Sequence, residues 1–136
     1  MGELHVNYFA VIVAAIINML VGALWYGPLL FAKQWMAVNN INPEDMKNVN
    51  PAPLYAQSIV VTVISYFVLA MAIIVTNTVR LNGGMSLAFW LWLGFIAPVQ
   101  YTANLFSNKK VLAFFIDTGY QLITMLMAGG LLAVWR

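Results

Sequence analysis

The chain has 136 residues, of which 63% are hydrophobic and 7% are charged. Soluble domains carry roughly 25% charged residues, so water is not the solvent for most of this chain. The net charge of +2 comes from scattered residues, which excludes the basic stripe that a nucleic-acid-binding protein needs. Because cysteine is absent, disulfides, thiolate catalysis and thiolate metal sites are excluded as well.

Four apolar runs are each long enough to cross a bilayer as a helix. At a rise of ~1.5 Å per residue, a hydrocarbon core of ~30 Å requires about 20 apolar residues. The runs cover residues 8–30, 54–78, 85–106 and 111–135, and none of them contains lysine or arginine. They predict an all-α integral membrane protein of one domain, folded as an up-down-up-down bundle of four transmembrane helices.

The connections between these runs differ in length. Residues 107–110 join the last two runs and residues 80–84 join the second and third, so both pairs are expected to be antiparallel neighbours. The first connection, residues 31–53, is long. Within it, the sequence Asn42-Pro43-Glu44-Asp45 combines an N-cap, a proline at the first helical position and acids at the positive end of a helix dipole. It predicts a short interfacial helix that closes before Pro51.

The basic residues predict an orientation in the membrane. By the positive-inside rule, the long connection and the turn at residues 107–110 are cytoplasmic, and both termini lie outside. The margin is four residues against two, so inverted or dual insertion remains an alternative. Trp35 and Met36 in the long connection are expected to lie against the lipid headgroups. The residues counted are Lys33, Lys47, Lys109 and Lys110 on one side, with Arg80 and Arg136 on the other.

Prolines and small residues predict the backbone geometry of the bundle. Pro28 predicts that the first helix kinks or ends near residues 26–27, and Pro98 predicts a bend near residues 94–98. Gly129 and its neighbour Gly130 predict a close helix contact late in the fourth helix. A similar ridge of small residues recurs every four positions along the first helix, at Ala10, Ala14, Asn18 and Gly22.

Asp117 is the only acid inside a predicted span, about 10 Å from its start at ~1.5 Å per residue. A carboxylate at that depth is costly and normally faces the bundle interior or a wet cavity. Tyr120, Gln121 and Thr124 follow it at helical spacing and share its face. The other helices bring polar or amphipathic groups to the same depth. We therefore predict one polar layer of ligand-binding residues: Trp25, Tyr26, Ser58, Thr62, Gln100, Asn104, Asp117, Tyr120 and Gln121.

A structural interpretation of the same layer stays open. Asparagine, glutamine, serine and threonine in membrane helices often serve only as hydrogen bonds between helices, each contributing about 0.6–2 kcal/mol. Trp25 and Tyr26 fit an interfacial belt of aromatic residues as well as they fit a pocket. Asp117 can also be satisfied by pairing with Lys109 or Lys110 in the preceding turn.

The sequence contains few of the motifs that mark metal, cofactor or catalytic sites. A single histidine, His5, without cysteine is too little for a zinc or haem site within one chain. Phosphate-binding loops are missing, and the adjacent acids Glu44 and Asp45 are explained by helix capping. We therefore assign no catalytic residue, no metal and no cofactor, and the sequence favours a protein that is not an enzyme.

Three segments carry a family resemblance. They are residues 24–31 with Lys33 and Trp35-Met36, residues 92–95 with Ala97-Pro98, and residues 117–120. Over nearly its whole length the chain resembles the uncharacterised bacterial membrane family called domain of unknown function 1761. The resemblance implies four spanning helices in the bacterial cytoplasmic membrane and no established activity. In that family an asparagine often stands at the position of Asp117, and a histidine at that of Gln121, which implies a hydrogen-bonding site where charge is optional.

Three functions are compatible with these features. The first is a transporter-like protein that handles a small solute or a lipid and acts as a homo-oligomer, since four helices alone enclose little volume. The second is a structural or accessory subunit of a larger membrane complex. The third is a membrane enzyme that acts on a lipid with Asp117 as general base. The lipid bilayer is a partner in each case, and nucleic acid in none.

Overall fold

The computed structural model describes residues 5–27, 30–39, 44, 50 and 52–135, and the regular structure in these ranges is helical. The predicted all-α fold is therefore confirmed. The elements in chain order are α1 (Tyr8–Trp25), α2 (Ala32–Val38), α3 (Ala52–Val75), α4 (Leu81–Leu91), a π-helical turn (Trp92–Ile96), α5 (Ala97–Phe106) and α6 (Val111–Val134).

Four helices in the described ranges are long and apolar enough to cross a membrane, as the hydropathy of the sequence predicts. They are α1, α3, α6 and a third span, Leu81–Phe106, in which α4, the π-helical turn and α5 follow one another without a break. The third span begins at Leu81 and not near residue 85. Gly84, which we assigned to the turn, is buried inside α4 because its missing side chain lets α4 approach α6 closely.

Two asparagines close the tight turns between the long helices. Asn77 after α3 and Asn108 after α5 adopt left-handed backbone angles, with φ of 55° and 57°. In both places the next residue, Thr78 or Lys109, donates its backbone N–H to the carbonyl five residues back, at 3.0 Å. This is the hydrogen bond of a Schellman cap, in which asparagine replaces the usual glycine. The caps therefore end α3 and α5 at defined residues.

The first helix ends at Trp25, as the proline-based prediction requires, although Pro28 itself lies outside the described residues. Beyond the turn, α2 forms where we predicted no helix. Its sequence contains alanine, lysine, glutamine and methionine, all of which favour helix. The helix predicted from the Asn42-Pro43 cap lies outside the described residues except for Glu44, which is helical.

The irregularity predicted near Pro98 is present as the π-helical turn. The Ala97 N–H donates to the carbonyl of Trp92, five residues back. Proline has no N–H, so Pro98 leaves the carbonyl four residues before it without its helical partner. A π-helical turn accommodates such a missing hydrogen bond, and turns of this kind often lie at functional sites. The third span therefore changes its hydrogen-bonding pattern halfway along its length.

Helix α6 is the centre of the bundle, since α1, α3 and the third span all pack against it. One half of the interior is an apolar cluster of α1, α3 and α6, in which Val11 and Ile73 are each 1% exposed. The ridge predicted on α1 takes part in it through Ala10 and Ala14, which are buried. The tightest contact joins α4 and α6, where a Cβ on Gly84 would come 2.6 Å from the Ala133 Cβ.

Replacing Gly84 with alanine should therefore destabilise the bundle, since the new methyl group would also meet the Gly129 carbonyl oxygen. We expect Gly84→Ala to lower the free energy of unfolding by about 1–3 kcal/mol, as overpacking does elsewhere. Unfolding of the detergent-solubilised protein measures it. Gly94→Ala is the matched control on the same span, because nothing lies within 4 Å of the position of its Cβ. Equal stability of the two variants would contradict the proposed close packing.

Candidate functional site

The polar residues of α6 lie on the side of that helix that meets α1 and α3. Asp117 bonds to Tyr26, just after α1, and Tyr120 bonds to Asn18 of α1, whereas Gln121 and Thr124 line a cavity between the helices. Their spacing of three and four residues places them on one face, as predicted. This face, formed by Asp117, Tyr120, Gln121 and Thr124, is called the polar face of α6.

Asp117 pairs with the residue that follows α1. The Tyr26 hydroxyl donates to the Asp117 carboxylate at 2.6 Å, and the Tyr26 ring packs edge-on against Tyr120 and against Trp35 of α2. Tyr26 lies one residue beyond the apolar span of α1. The phenol carries the proton of this bond and is its donor. Within the described ranges the partner of Asp117 is this phenol, and neither Lys109 nor Lys110 of the preceding turn.

Two tryptophans fix the backbone of α6 on either side of Asp117. The Trp25 Nε1 donates to the carbonyl of Ile116 at 2.9 Å, and the Trp92 Nε1 of the third span donates to that of Thr118 at 3.0 Å. Both indoles thus find a polar partner within the protein, as buried indoles usually do. Trp25 therefore acts in the packing of α1 on α6 and lines neither of the two cavities described below.

A chain of hydrogen bonds joins α6 to α1 and α1 to α3. The Tyr120 hydroxyl lies 2.6 Å from Asn18 Oδ1 and 2.8 Å from the Asn18 carbonyl oxygen. Asn18 Nδ2 in turn donates to Thr62 Oγ1 at 3.2 Å. Gly22 makes room for this arrangement, because a Cβ there would lie 2.8 Å from the Tyr120 hydroxyl. The ridge of small residues on α1 is therefore also the surface that receives Tyr120.

Two cavities, each of about 360 Å³, lie beside this chain of bonds and share Ser58 and Tyr120 as lining residues. The outer cavity is bounded by the end of α1 and the start of α3, at Tyr26 and Tyr55. The inner cavity extends along α3 to Tyr66. Its lining includes six further hydrogen-bonding residues in the described ranges: Asn18, Ser58, Thr62, Ser65, Gln121 and Thr124.

The wall of the inner cavity contains an acceptor that is buried and not accessible from the cavity. Gln121 Oε1 is buried, and no hydrogen-bond partner for it is found in the described part of the chain. Asn104 Nδ2 is also buried without a partner there, although Gln100 Nε2 donates to the same amide at Oδ1, 2.8 Å away. A buried polar atom without a partner is costly, so each such atom in a native protein calls for an explanation.

The residues of the predicted polar layer do not all line the cavities. Tyr26, Ser58, Thr62, Tyr120 and Gln121 line the cavities. Trp25 and Asp117 belong to the contact between α1 and α6, and Gln100 bonds to Asn104 on the third span.

Sequence reasoning missed several residues that line the cavities or bond to α6 beside them. Ser65 follows Ser58 and Thr62 at helical spacing, so the signal for it was present. The sequence predicts Asn18 only as part of the ridge of small residues on α1. Trp92 carried no signal, because its bond depends on how the third span is rotated against α6.

The chemistry available at the cavities is hydrogen bonding without charge. Within the described ranges their lining residues include no lysine, arginine, aspartate, glutamate or histidine. The same part of the chain contains no group of three potential metal-ligating side chains. The cavities therefore suit a neutral polar group.

The pairing of Asp117 predicts different effects for two substitutions. Asparagine retains an oxygen that accepts from Tyr26, so Asp117→Asn should leave the free energy of unfolding within about 0.5 kcal/mol of its original value. Asp117→Leu removes the acceptor and should lower it by about 0.6–1.7 kcal/mol, the range of hydrogen bonds between membrane helices. Unfolding in mixed micelles measures both. Equal losses for the two variants would show that the charge, and not the hydrogen bond, is what the fold requires.

A family model described as "Protein of unknown function (DUF1761)" matches residues 9–133 of the chain. No curated protein matches the chain. No solved structure matches it either.

Proposed function

The chain belongs to the DUF1761 family of proteins of unknown function, and we propose that it is a multi-pass membrane protein whose cavities bind a small polar solute or the polar part of a lipid. The observation that carries the proposal is the row of hydrogen-bonding side chains that faces open space between apolar helices. In a bilayer such groups are expensive unless the protein or a ligand satisfies them.

A binding site differs from a purely structural polar layer in having polar side chains that do not bond to one another. Tyr120, Asn18 and Thr62 satisfy one another across three helices, which is how hydrogen bonds that only join helices behave. Ser58 and Ser65 line the same inner cavity and are exposed there. The protein thus maintains polar surface beyond what its own packing uses.

The cavities favour a protein that exposes its site to one side at a time. They begin at Tyr26 and Tyr55 and end at Tyr66, beyond which the apolar cluster of α1, α3 and α6 fills the bundle. A half-depth site closed by a packed core is the geometry expected of a transporter-like protein in one of its states. The positive-inside rule assigns the open end, near residues 107–110, to the cytoplasm of a bacterial cell.

An accessory role in a larger complex, or assembly as a homo-oligomer, is the second candidate. Its support is the wide apolar surface of the third span, where Phe95 is 71% and Phe106 is 90% exposed. A lipid-modifying enzyme that uses Asp117 as base has less support, because that carboxylate is bonded to Tyr26 and does not line either cavity.

Cysteine labelling tests whether the inner cavity contains water. The chain has no cysteine, so single substitutions report without background. Ser65→Cys in membrane vesicles should react with a hydrophilic thiol reagent at least ten times faster than two controls on α3, because only a hydrated thiol ionises readily. The controls are Ala70→Cys, in the apolar cluster, and Val68→Cys, on the exposed apolar surface. Equal, slow labelling at all three positions would contradict a hydrated cavity.

A further inference from the structure

The outer and inner cavities meet at one level of the bundle, and Tyr120 lies at that level. Tyr120 and Ser58 are the residues of the described ranges that line both cavities. On α1 the lining changes within about one helical turn, from Asn18 in the inner cavity to Gly22 in the outer one. The Tyr120 hydroxyl meets α1 at this turn, because it bonds to Asn18 and a Cβ on Gly22 would lie 2.8 Å from it. The phenol side chain of Tyr120 therefore lies between the two cavities.

Two acceptors of Asn18 hold the Tyr120 hydroxyl in this position. The side-chain oxygen of Asn18 lies 2.6 Å from the hydroxyl, and its carbonyl oxygen lies 2.8 Å away. A phenol has a single proton to donate, so the two acceptors share one hydrogen bond. A hydrogen bond between membrane helices changes an equilibrium constant by only about 3- to 18-fold, which thermal motion overcomes readily. Asn18 therefore holds the Tyr120 side chain reversibly.

The Tyr120 side chain has space to move once its bond to Asn18 breaks. It is only half-buried, and the cavities on its two sides each have a volume of about 360 Å³. A tyrosine in a helix has two favoured positions about its first side-chain torsion, so a second position exists without any change in the backbone of α6. Movement of this one side chain therefore connects or separates the two cavities.

We propose that Tyr120 is a gate between the outer and inner cavities, and that its hydrogen bond to Asn18 keeps the gate closed. The proposal rests on the proposed function, because it assigns the step by which a ligand passes from the outer cavity to the inner one. In this structure the phenol divides the space between α1, α3 and α6. When the bond breaks, the ring turns and the two cavities become one. Gating by a small movement of this kind is common where a protein exposes an internal site to one side at a time.

Two substitutions should open the gate by different physical routes. Tyr120→Phe keeps the ring and removes the hydroxyl that bonds to Asn18. Gly22→Ala leaves both of these residues intact, but its methyl group would lie 2.8 Å from the Tyr120 hydroxyl and displaces it. The readout is the rate at which a hydrophilic reagent labels Ser65→Cys, which lies in the inner cavity, in lipid nanodiscs that expose both membrane faces. Each variant should raise this rate about threefold or more, the effect of losing one such hydrogen bond.

Matched controls separate gating from a general loosening of the bundle. Tyr55→Cys lies in the outer cavity, and Ala70→Cys lies in the apolar cluster, so neither thiol should change its labelling rate when the gate opens. Tyr101→Phe and Gly94→Ala are the same two substitutions away from the cavities. Neither should alter the labelling of Ser65→Cys, since Tyr101 is exposed on α5 and nothing lies within 4 Å of the position of a Cβ on Gly94.

Several results would overturn the gate. One is an unchanged labelling rate of Ser65→Cys in either Tyr120→Phe or Gly22→Ala, and another is an equal rise at Ala70→Cys, which would show a loss of packing. The labelling of Ser65→Cys also distinguishes this inference from the proposed function. If Ser65→Cys is labelled much faster than Ala70→Cys but neither variant changes its rate, the gate is wrong and the proposed function stands. If Ser65→Cys is labelled as slowly as Ala70→Cys in every variant, both are wrong.

Discussion

The constraint on which this structure depends is that hydrogen-bonding side chains within apolar spans must find their partners inside the protein. Hydrocarbon supplies none, so Asp117 and Tyr120 pair with residues outside α6, and Thr118 and Thr124 bond to the α6 backbone. Asp117 is met by Tyr26 and Tyr120 by Asn18, and Asn18 continues the connection to Thr62 on α3. The polar face of α6 thus determines where α1 and α3 can lie.

The third span packs against α6 mainly through small residues and not through polar ones. Close packing of glycine on glycine joins its first half to α6 at Gly84 and Gly129, as small residues do between membrane helices. Beyond the π-helical turn the span offers larger side chains, and α5 is largely exposed. Both cavities lie between α1, α3 and α6, with Ile96 of the third span at the edge of the inner one, so Tyr120 of the polar face both orders the bundle and lines them.

Much of this arrangement could be predicted from the sequence, because hydropathy sets the length of a span and helical spacing sets its faces. The four spans and the ridge on α1 follow from those two rules, and the irregular backbone before Pro98 follows from the missing N–H of proline. The start of α4 could not be predicted in this way, since a glycine pair in a turn and a glycine pair in a close helix contact look alike in sequence. Helix α2 was not predicted, because the N-cap and proline signal in the first connection lies further along the chain, at Asn42-Pro43, and α2 has no side-chain cap of its own. The partners of Trp25 and Trp92 depend on the relative rotation of three helices, which one sequence does not encode in any local pattern.

The central claim is that Tyr120 joins α6 to α1 through the side chain of Asn18, and a double-mutant cycle measures that connection most directly. The cycle compares Tyr120→Phe, Asn18→Leu and the double variant by reversible unfolding in the same lipid–detergent mixture. We expect a coupling free energy of about 0.6–1.7 kcal/mol, as found for hydrogen bonds between membrane helices. Effects that add without coupling, within about 0.3 kcal/mol, would contradict the claim that this bond holds the polar face of α6 in place.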